Sequence, residues 1–490
     1  MTVLARLFSI DPDRVAVCVA GEQLSYGRFQ QDILAMAQWL HQNHVGVETR
    51  IGITPRPGSY WTWVAHLAAL RVGAHHITTS GKKAFNRAIE YGLYVHLGAE
   101  PSRDLPKAVR RLIFKPGGMG PLAGQLGVDL TSVPPDAERQ AARIALTSGT
   151  TGKPRALRWD QALIEQRIDQ TSRGADISAD TRLFAALSIS TTGGFRYPLA
   201  TWSNGGTVFL RGHAEENSGP AWRDIVTRTN LLVSSPPNLR MLLQRFAKIW
   251  PGREERAIFM LGGRVPSAQR AEALRRVAGK MVINYGSTET GTVAAGDVSI
   301  LDRHPGAVGF ARDGAIIEIV GADDRPLPAG ETGMVRIRTE GMCTGYEQES
   351  ESGDGKSGFR NGWFYPGDQG MLFEDGLFAI AGRISETVNL GGVKVSVPEL
   401  EAKLGADPRI NDVCIVPIGV SDMDMLAFVM ELPPETDAKT LYPDIMPLLP
   451  AGISFRVVQV RSIPRNAMGK VERRELISSL EPMFERGSAA

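Results

Sequence analysis

The sequence predicts an α/β protein: a large N-terminal domain of helix-covered sheets with a smaller β-rich unit attached, then a small α+β C-terminal domain. Three observations carry this. Helix and strand patterns alternate through the first three quarters of the chain, as in a parallel sheet covered on both faces. From about Gly309 the texture turns β-rich with turn signals, and after Arg383 it changes a second time.

In chain order, Phe29, Ile33, Leu34, Ala37 and Leu40 recur at helical spacing. "RIGIT" (50–54) reads as a short strand, followed by a helix containing Trp61 to Leu70. "GGTVFL" (205–210), "NLLVS" (230–234) and "AIFML" (257–261) read as buried strands, each beside a helix pattern. "AIIEIVG", "GMVRIRT", "GMLFED" and "LFAIAGR" form the β-rich unit, with "ADDRPLPAGETG" as a turn between them. "VPELEAKLG" is a helix, "VCIVPIGV" and "MLAFVMEL" are strands, and "KVERRELISSL" is a terminal helix. The expected division is 1–383, a hinge at 384–387, and 388–490. "ESESGDGKSG" (349–358) is the most polar loop.

Composition excludes several classes. Of 490 residues, 43% are hydrophobic and 22% charged, an ordinary composition that can bury large cores. The net charge is +2 with no basic tract, which argues against nucleic acid or an anionic membrane as the main partner. Cys18, Cys343 and Cys414 have no metal or CxxC spacing and suit a reducing compartment. The N-terminus lacks a signal-peptide core. The most apolar run, "YWTWVAHLAALRVGAHHI", is broken by His66, Arg71, His75 and His76 and reads as a buried helix, not a membrane span. A cytoplasmic protein without a membrane anchor is expected.

The stretch "IALTSGTTGKPRALRW" (144–159) carries glycines, hydroxyls and a lysine, a composition that lets backbone N–H groups approach an anion. It is not a Walker loop: Gly149 and Gly152 are three apart, and Pro154 follows Lys153 where a Ser or Thr is required. An ATPase or kinase of the ordinary P-loop kind is therefore disfavoured.

The stretch has companions in a fixed order: "LSYGRF" (24–29), "INYGSTETG" (283–291), "GWFYPGDQG" (362–370), "GRISETVNLGGVKVSVPELE" (382–401) and "IPRNAMGKVERREL" (463–476). Together they resemble the adenylate-forming (ANL) superfamily of acyl-CoA synthetases, peptide-synthetase adenylation domains and luciferases, over nearly the whole chain. The resemblance implies a large ANL-type domain with a small mobile C-terminal domain, and a reaction in two halves. A carboxylate attacks the α-phosphate of ATP, giving an acyl-adenylate and pyrophosphate; a thiol then displaces AMP.

Roles follow by resemblance. Thr147, Ser148, Gly149, Thr150, Thr151, Gly152 and Lys153 would cradle the phosphates. Gly262 and Gly263 would lie at the adenine side, with Tyr285 stacking on the base beside Gly286. Thr288 would bond a phosphate, and Glu289 would hold Mg2+. Asp368 would accept from the ribose hydroxyls, with Arg383 as a second ribose contact. Lys470 would bridge carboxylate and α-phosphate. Gly391, Gly392 and Lys394 would line the pantetheine tunnel after the C-terminal domain rotates. The thiol is that of CoA or of the phosphopantetheine arm on a separate acyl carrier protein.

Two departures stand out. Ser385 occupies the hinge position, usually Asp or Lys. In "ALSISTTGGFRYP" (186–198), the expected acyl pocket of Thr191, Thr192, Gly194 and Phe195, Thr191 replaces the usual His or aromatic residue. Thr192 replaces the aspartate that holds the amine in α-amino-acid-activating relatives. A neutral threonine cannot pair an ammonium, so α-amino acids are not expected as substrates. These hydroxyls either meet a hydroxyl or carbonyl of the acid or face the backbone. The chain is expected to act free-standing, since no carrier domain is recognisable after Lys470. The alternatives are a nucleotide-binding protein that kept the fold and lost the chemistry, or an adenylating enzyme with a non-thiol acceptor.

Overall fold

The computed structural model describes the chain apart from residues 55–59, 80, 99–104, 131–135, 148–154, 212–218, 247–252, 262–266, 305, 348–357, 384–386, 391–392, 406, 408, 421–422, 450–452, 466–470 and 486–490.

After a short helix, Val3–Phe8, and the strands Val15–Val19 and Glu22–Ser25 comes the helix Tyr26–Gln42, which starts where Ser25 accepts from Arg28 N. Its buried face, including Phe29, Ile33, Met36, Ala37 and Leu40, has the helical spacing read from sequence. The helix Tyr60–Arg71 is buried on all sides, as a helix without a polar face must be. It covers a six-stranded sheet in the order Arg110–Ile113, Val95–Gly98, Arg50–Ile53, His75–Thr78, Ala142–Leu146, Ala156–Asp160. Its strands are parallel except the last pair, Ala142–Leu146 with Ala156–Asp160, which is antiparallel.

The second sheet is larger and changes character partway. From Val15–Val19 through Thr207–Leu210, Arg182–Ala185, Leu231–Ser234 and Arg253–Leu261 to Ala278–Ser287 the pairing is parallel. From Ala278–Ser287 onward it is antiparallel, through Gly291–Asp297, Ala307–Ala311 and Phe378–Arg383 to Asp368–Leu372 and Thr332–Thr339. The β-rich unit is thus hydrogen-bonded into the main sheet rather than standing beside it. The change of direction falls on the strand that carries Tyr285 and Gly286.

After Arg383 the strands form separate sheets. Thr387–Leu390 pairs with Val393–Ser396, and Asp412–Val420, Met423–Glu431 and Phe455–Gln459 make a three-stranded sheet. The helices Val397–Leu404 and Arg473–Glu485 pack against Asp412–Val420, with apolar clusters of their own around Ile415 and Phe428 and around Val416 and Leu480. The three cysteines are free and buried. Among the described residues no helix is long and apolar enough to cross a membrane.

Candidate active site

The strands Ala278–Ser287 and Gly291–Asp297 are joined by a tight reversal, closed by Ser287 Oγ accepting from Thr290 N at 3.2 Å. Gly286 has no alternative here: a Cβ on it would fall 1.9 Å from Gly291 O. The reversal presents Thr288 and Glu289, and a buried arginine from a distant helix grips it from behind. Arg167, on Gln161–Gly174, donates from Nη1 to Thr288 O (2.8 Å) and from Nη2 to Glu289 O (2.8 Å). Its Nε and Nη2 also reach Gly341 O at 3.1 and 2.9 Å, and its guanidinium lies 4.2 Å above the Trp159 ring. A planar fork suits several carbonyls at once better than an ammonium does. Burial lowers the Arg167 pKa to about 10, which leaves it charged at neutral pH. Cys343 N donates to Glu289 O at 2.8 Å, and Tyr346 OH donates to Glu289 Oε1 at 2.6 Å, fixing the carboxylate's orientation.

Across the sheet, Asp368 is 5% exposed and both its oxygens have partners. Oδ2 accepts from Tyr285 OH at 2.6 Å and Oδ1 from Arg383 Nε at 2.9 Å. The antiparallel pairing Asp368↔Arg383 sets the second contact. Burial and the neighbouring carboxylate push the Tyr285 phenol well above its ordinary range, so it remains a donor. The Tyr285 ring stands edge-on to Phe378, centroids 5.3 Å apart. Each Asp368 oxygen keeps a lone pair beyond these bonds, since a carboxylate accepts about four.

The third element is the helix Thr192–Ser203. Thr191 is its N-cap: Oγ1 accepts from Gly194 N (2.9 Å) and donates to Ser188 O (2.8 Å), so this hydroxyl is committed to the backbone. Ser188 and Ser190 pair hydroxyl to hydroxyl at 2.8 Å. A Cβ on Gly194 would meet Ser188 O at 2.0 Å, so that position serves close packing. Phe195 is core, stacked on Trp63 with the Arg143 guanidinium 3.8 Å above its ring. Arg143 Nη2 donates to Ile189 O at 2.8 Å and so ties down the loop before the helix. Of the four residues expected to line an acyl pocket, only Thr192 turns to the Thr288 reversal, where its Oγ1 donates to Thr288 Oγ1 at 3.2 Å.

The structure thus brings together Thr192, Thr288 and Glu289, and separately Tyr285, Asp368 and Arg383. Thr147 ends the described run before 148–154, its N–H donating to Arg155 O at 2.7 Å. Ser148, Gly149, Thr150, Thr151, Gly152, Lys153, Gly262, Gly263, Ser385, Gly391, Gly392 and Lys470 lie outside the described residues. Lys394 is described only as a strand residue paired with Asn389.

Sequence reading missed Arg143, Arg167, Arg196 and Tyr346. A signal existed for Arg167: it falls in register with the buried Ile164, Ile168 and Thr171, and a charge on an apolar stripe asks for a buried partner.

The AMP-binding enzyme family matches residues 96–347, just over half of the chain. The chain belongs to that family. It is 28% identical to the indoleacetate–CoA ligase of Aromatoleum aromaticum over 67% of this chain and 65% of that protein. To the cyclosporin synthetase of Tolypocladium inflatum it is 24% identical over 98% of this chain and 3% of that protein. The chain therefore spans less than two thirds of either relative's length. ATP-bound MatB from Rhodopseudomonas palustris superposes with a TM-score of 0.82 at 22% identity, covering 99% of this chain and 100% of that one. The o-succinylbenzoate CoA synthetase MenE from Bacillus subtilis, holding its acyl-adenylate, gives 0.79 at 18% identity over 97% of each. The fold is the mixed α/β architecture of the adenylate-forming superfamily.

Proposed function

We propose that this chain is an ATP-dependent acid:thiol ligase, forming an acyl-adenylate from a carboxylic acid and then a thioester. The observation that carries the reading is the reversal at Thr288 and Glu289, held by Arg167 and faced by Thr192, on the strand that also supplies Tyr285 to Asp368. That is a rigid frame with hydroxyl and carboxylate groups at its tip, of the kind that positions phosphoryl chemistry. The indoleacetate–CoA ligase and malonate–CoA ligase among its relatives support CoA as the acceptor; the peptide synthetases keep a separate carrier protein in view.

The residues present fit a nucleotide. Asp368, oriented by Tyr285 and Arg383, has lone pairs for a ribose diol. Lys153 and the 147–152 glycines and hydroxyls would hold the β- and γ-phosphates, and Lys470 the α-phosphate and the attacking carboxylate. The fit to Mg2+ is that of a lone carboxylate. Among the described residues no cluster of three His, Cys, Asp or Glu could cage a metal. Glu289 alone would share the ion with the nucleotide phosphates, the usual arrangement for magnesium. Bound there, the ion would neutralise phosphate charge that repels an incoming carboxylate. We further assign Ser385 to a hinge between 1–383 and 388–490, and Gly391, Gly392 and Lys394 to the pantetheine path.

Acid-dependent exchange of labelled pyrophosphate into ATP, without any thiol, tests the first half-reaction. Exchange with at least one acid, lost by several orders of magnitude in a folded Lys470→Ala variant, is expected. Near-normal exchange in that variant, or hydrolysis of ATP to ADP instead of AMP, would overturn the assignment.

A further inference from the structure

Arg196 has no part in the roles above. It lies on Thr192–Ser203, is 4% exposed, and its buried Nε has no hydrogen-bond partner among the described residues. Nη2 donates to Thr292 Oγ1 at 3.1 Å. Nη1 lies 3.6 Å from where a Cβ on Gly291 would stand, and Arg167 Nε lies 3.8 Å from the same point. Two guanidiniums therefore meet over one glycine. Arg167 has its donors on carbonyls and the Glu289 charge nearby. Burial lowers the Arg196 pKa, and among the described residues no carboxylate counters that shift. An unpaired buried cation costs several kcal/mol, and such groups are found where a ligand completes them.

Its position says which ligand. Arg196 follows Thr192 by four residues, the same side of the helix about 6 Å further along the axis. On the facing strands, Thr292 is paired with Gly286, only two residues before Thr288 in the chain. Both routes lead from the Thr192–Thr288 contact to the Arg196–Thr292 contact over one short span. Arg143, a second buried arginine on the strand Ala142–Leu146, also has donors without partners among the described residues, Nε and Nη1, but it stacks on Phe195 and holds Ile189 O and touches neither Thr292 nor the Thr288 reversal in any hydrogen bond.

We propose that Arg196 sets the acid specificity of this site by pairing with a second acidic group, so that the substrate is a short dicarboxylic acid. The reacting carboxylate lies at Thr192 and Thr288, and the distal one takes the Arg196 guanidinium together with Thr292 Oγ1. The inference rests on the ligase reading for the identity of the near end, and on Arg196 alone for the far end.

The test is calorimetric titration of malonate, succinate, glutarate and adipate, each against its monomethyl ester, with α,β-methylene-ATP present. In the unmodified protein one diacid should bind about a hundredfold or more tighter than its ester, because the ester leaves the buried cation unpaired. Arg196→Met should remove that preference with ester affinity little changed, and Arg196→Lys should keep part of it. Equal binding of diacid and ester, no diacid binding, or a preference that survives in Arg196→Met would overturn the proposal; the first two need no variant to fold. Pyrophosphate exchange run on the same acids separates the two claims. A tightly bound diacid without exchange sinks the ligase reading and keeps the anion site. Exchange with neutral-tailed acids at no disadvantage does the reverse.

Discussion

Acidification should strike first beneath the helix that carries Thr192. His66, on the helix Tyr60–Arg71, and His76, on the strand beside it, are both fully buried, with their Nδ1 atoms 2.6 Å apart. One ring must donate and the other accept, so both cannot be protonated at once, and burial disfavours a charge on either. Burial, with Arg143 close to both and His75 close to His76, holds their pKa values well below the ordinary 6.5. In the unfolded chain both regain about 6.5. The native state therefore carries its full advantage above pH 6.5 and loses it as the pH falls, because the unfolded chain takes up protons that the folded one refuses. At pH 5.5 each histidine costs about 1.4 kcal/mol while it stays neutral, or about 3 kcal/mol for the pair. His75 and His96 are also shifted down, so the comparison needs a reference that keeps them. Urea unfolding of the native sequence and of a His66→Leu/His76→Leu double variant, each at pH 7.5 and 5.5, isolates the pair. The native sequence should lose about 3 kcal/mol more than the variant over that interval. Equal losses would show that the pair is protonated, or accessible, in the folded protein, and the reasoning would fail. The His76 ring lies 5.8 Å from Phe195, so the same loss should be felt at Thr192.

Arg167→Met should cost about 3 kcal/mol of stability, since buried carbonyls of Thr288, Glu289 and Gly341 lose their donors. Its kcat for adenylation should fall more than its affinity for ATP rises or falls; unchanged exchange kinetics would make Arg167 a purely structural residue. Tyr285→Phe removes one of two donors to Asp368 and should weaken nucleotide binding by about tenfold in a titration, roughly the 1.4 kcal/mol of a bond to a charged group. Asp368→Ala should weaken it further, and wild-type affinity in that variant would limit the aspartate to its bonds with Tyr285 and Arg383. Tyr346→Phe frees Glu289 Oε1, and a raised magnesium requirement in the exchange assay is expected; an unchanged requirement would separate Glu289 from the metal.

The elements were readable because each is announced locally. The buried spacing of Tyr26–Gln42, the uniform burial of Tyr60–Arg71 and the apolar strands Leu231–Ser234 and Thr207–Leu210 need nothing beyond their own window. The joining of the β-rich unit to the main sheet was not, because it depends on Gly291–Asp297 pairing with Ala307–Ala311, a contact between strands with no shared signal. The same division runs through the site. Tyr285, Thr288, Glu289 and Asp368 stand in short motifs whose order is visible. The groups that hold them come from far away: Arg167 is 121 residues from Thr288, and Tyr346 is 57 from Glu289.

Charge is where local reading misleads most. A lone arginine in a helix is usually solvated, and Arg143, Arg167 and Arg196 look alike on the page of the sequence. Burial separates them by what their donors meet. Arg167 spends its donors on backbone carbonyls and braces the Thr288 reversal; Arg143 braces the loop before Thr192 through Nη2 and leaves Nε and Nη1 without partners among the described residues. Arg196 ends on one threonine hydroxyl with a donor to spare, on the side of the helix that faces the reversal. A spare donor alone does not separate Arg196 from Arg143; its place does, because its one bond is to Thr292 beside the reversal, where the distal carboxylate is proposed to sit, whereas Arg143 lies against Phe195. Substrate charge is the variable that tests whether that difference of place is a difference in function.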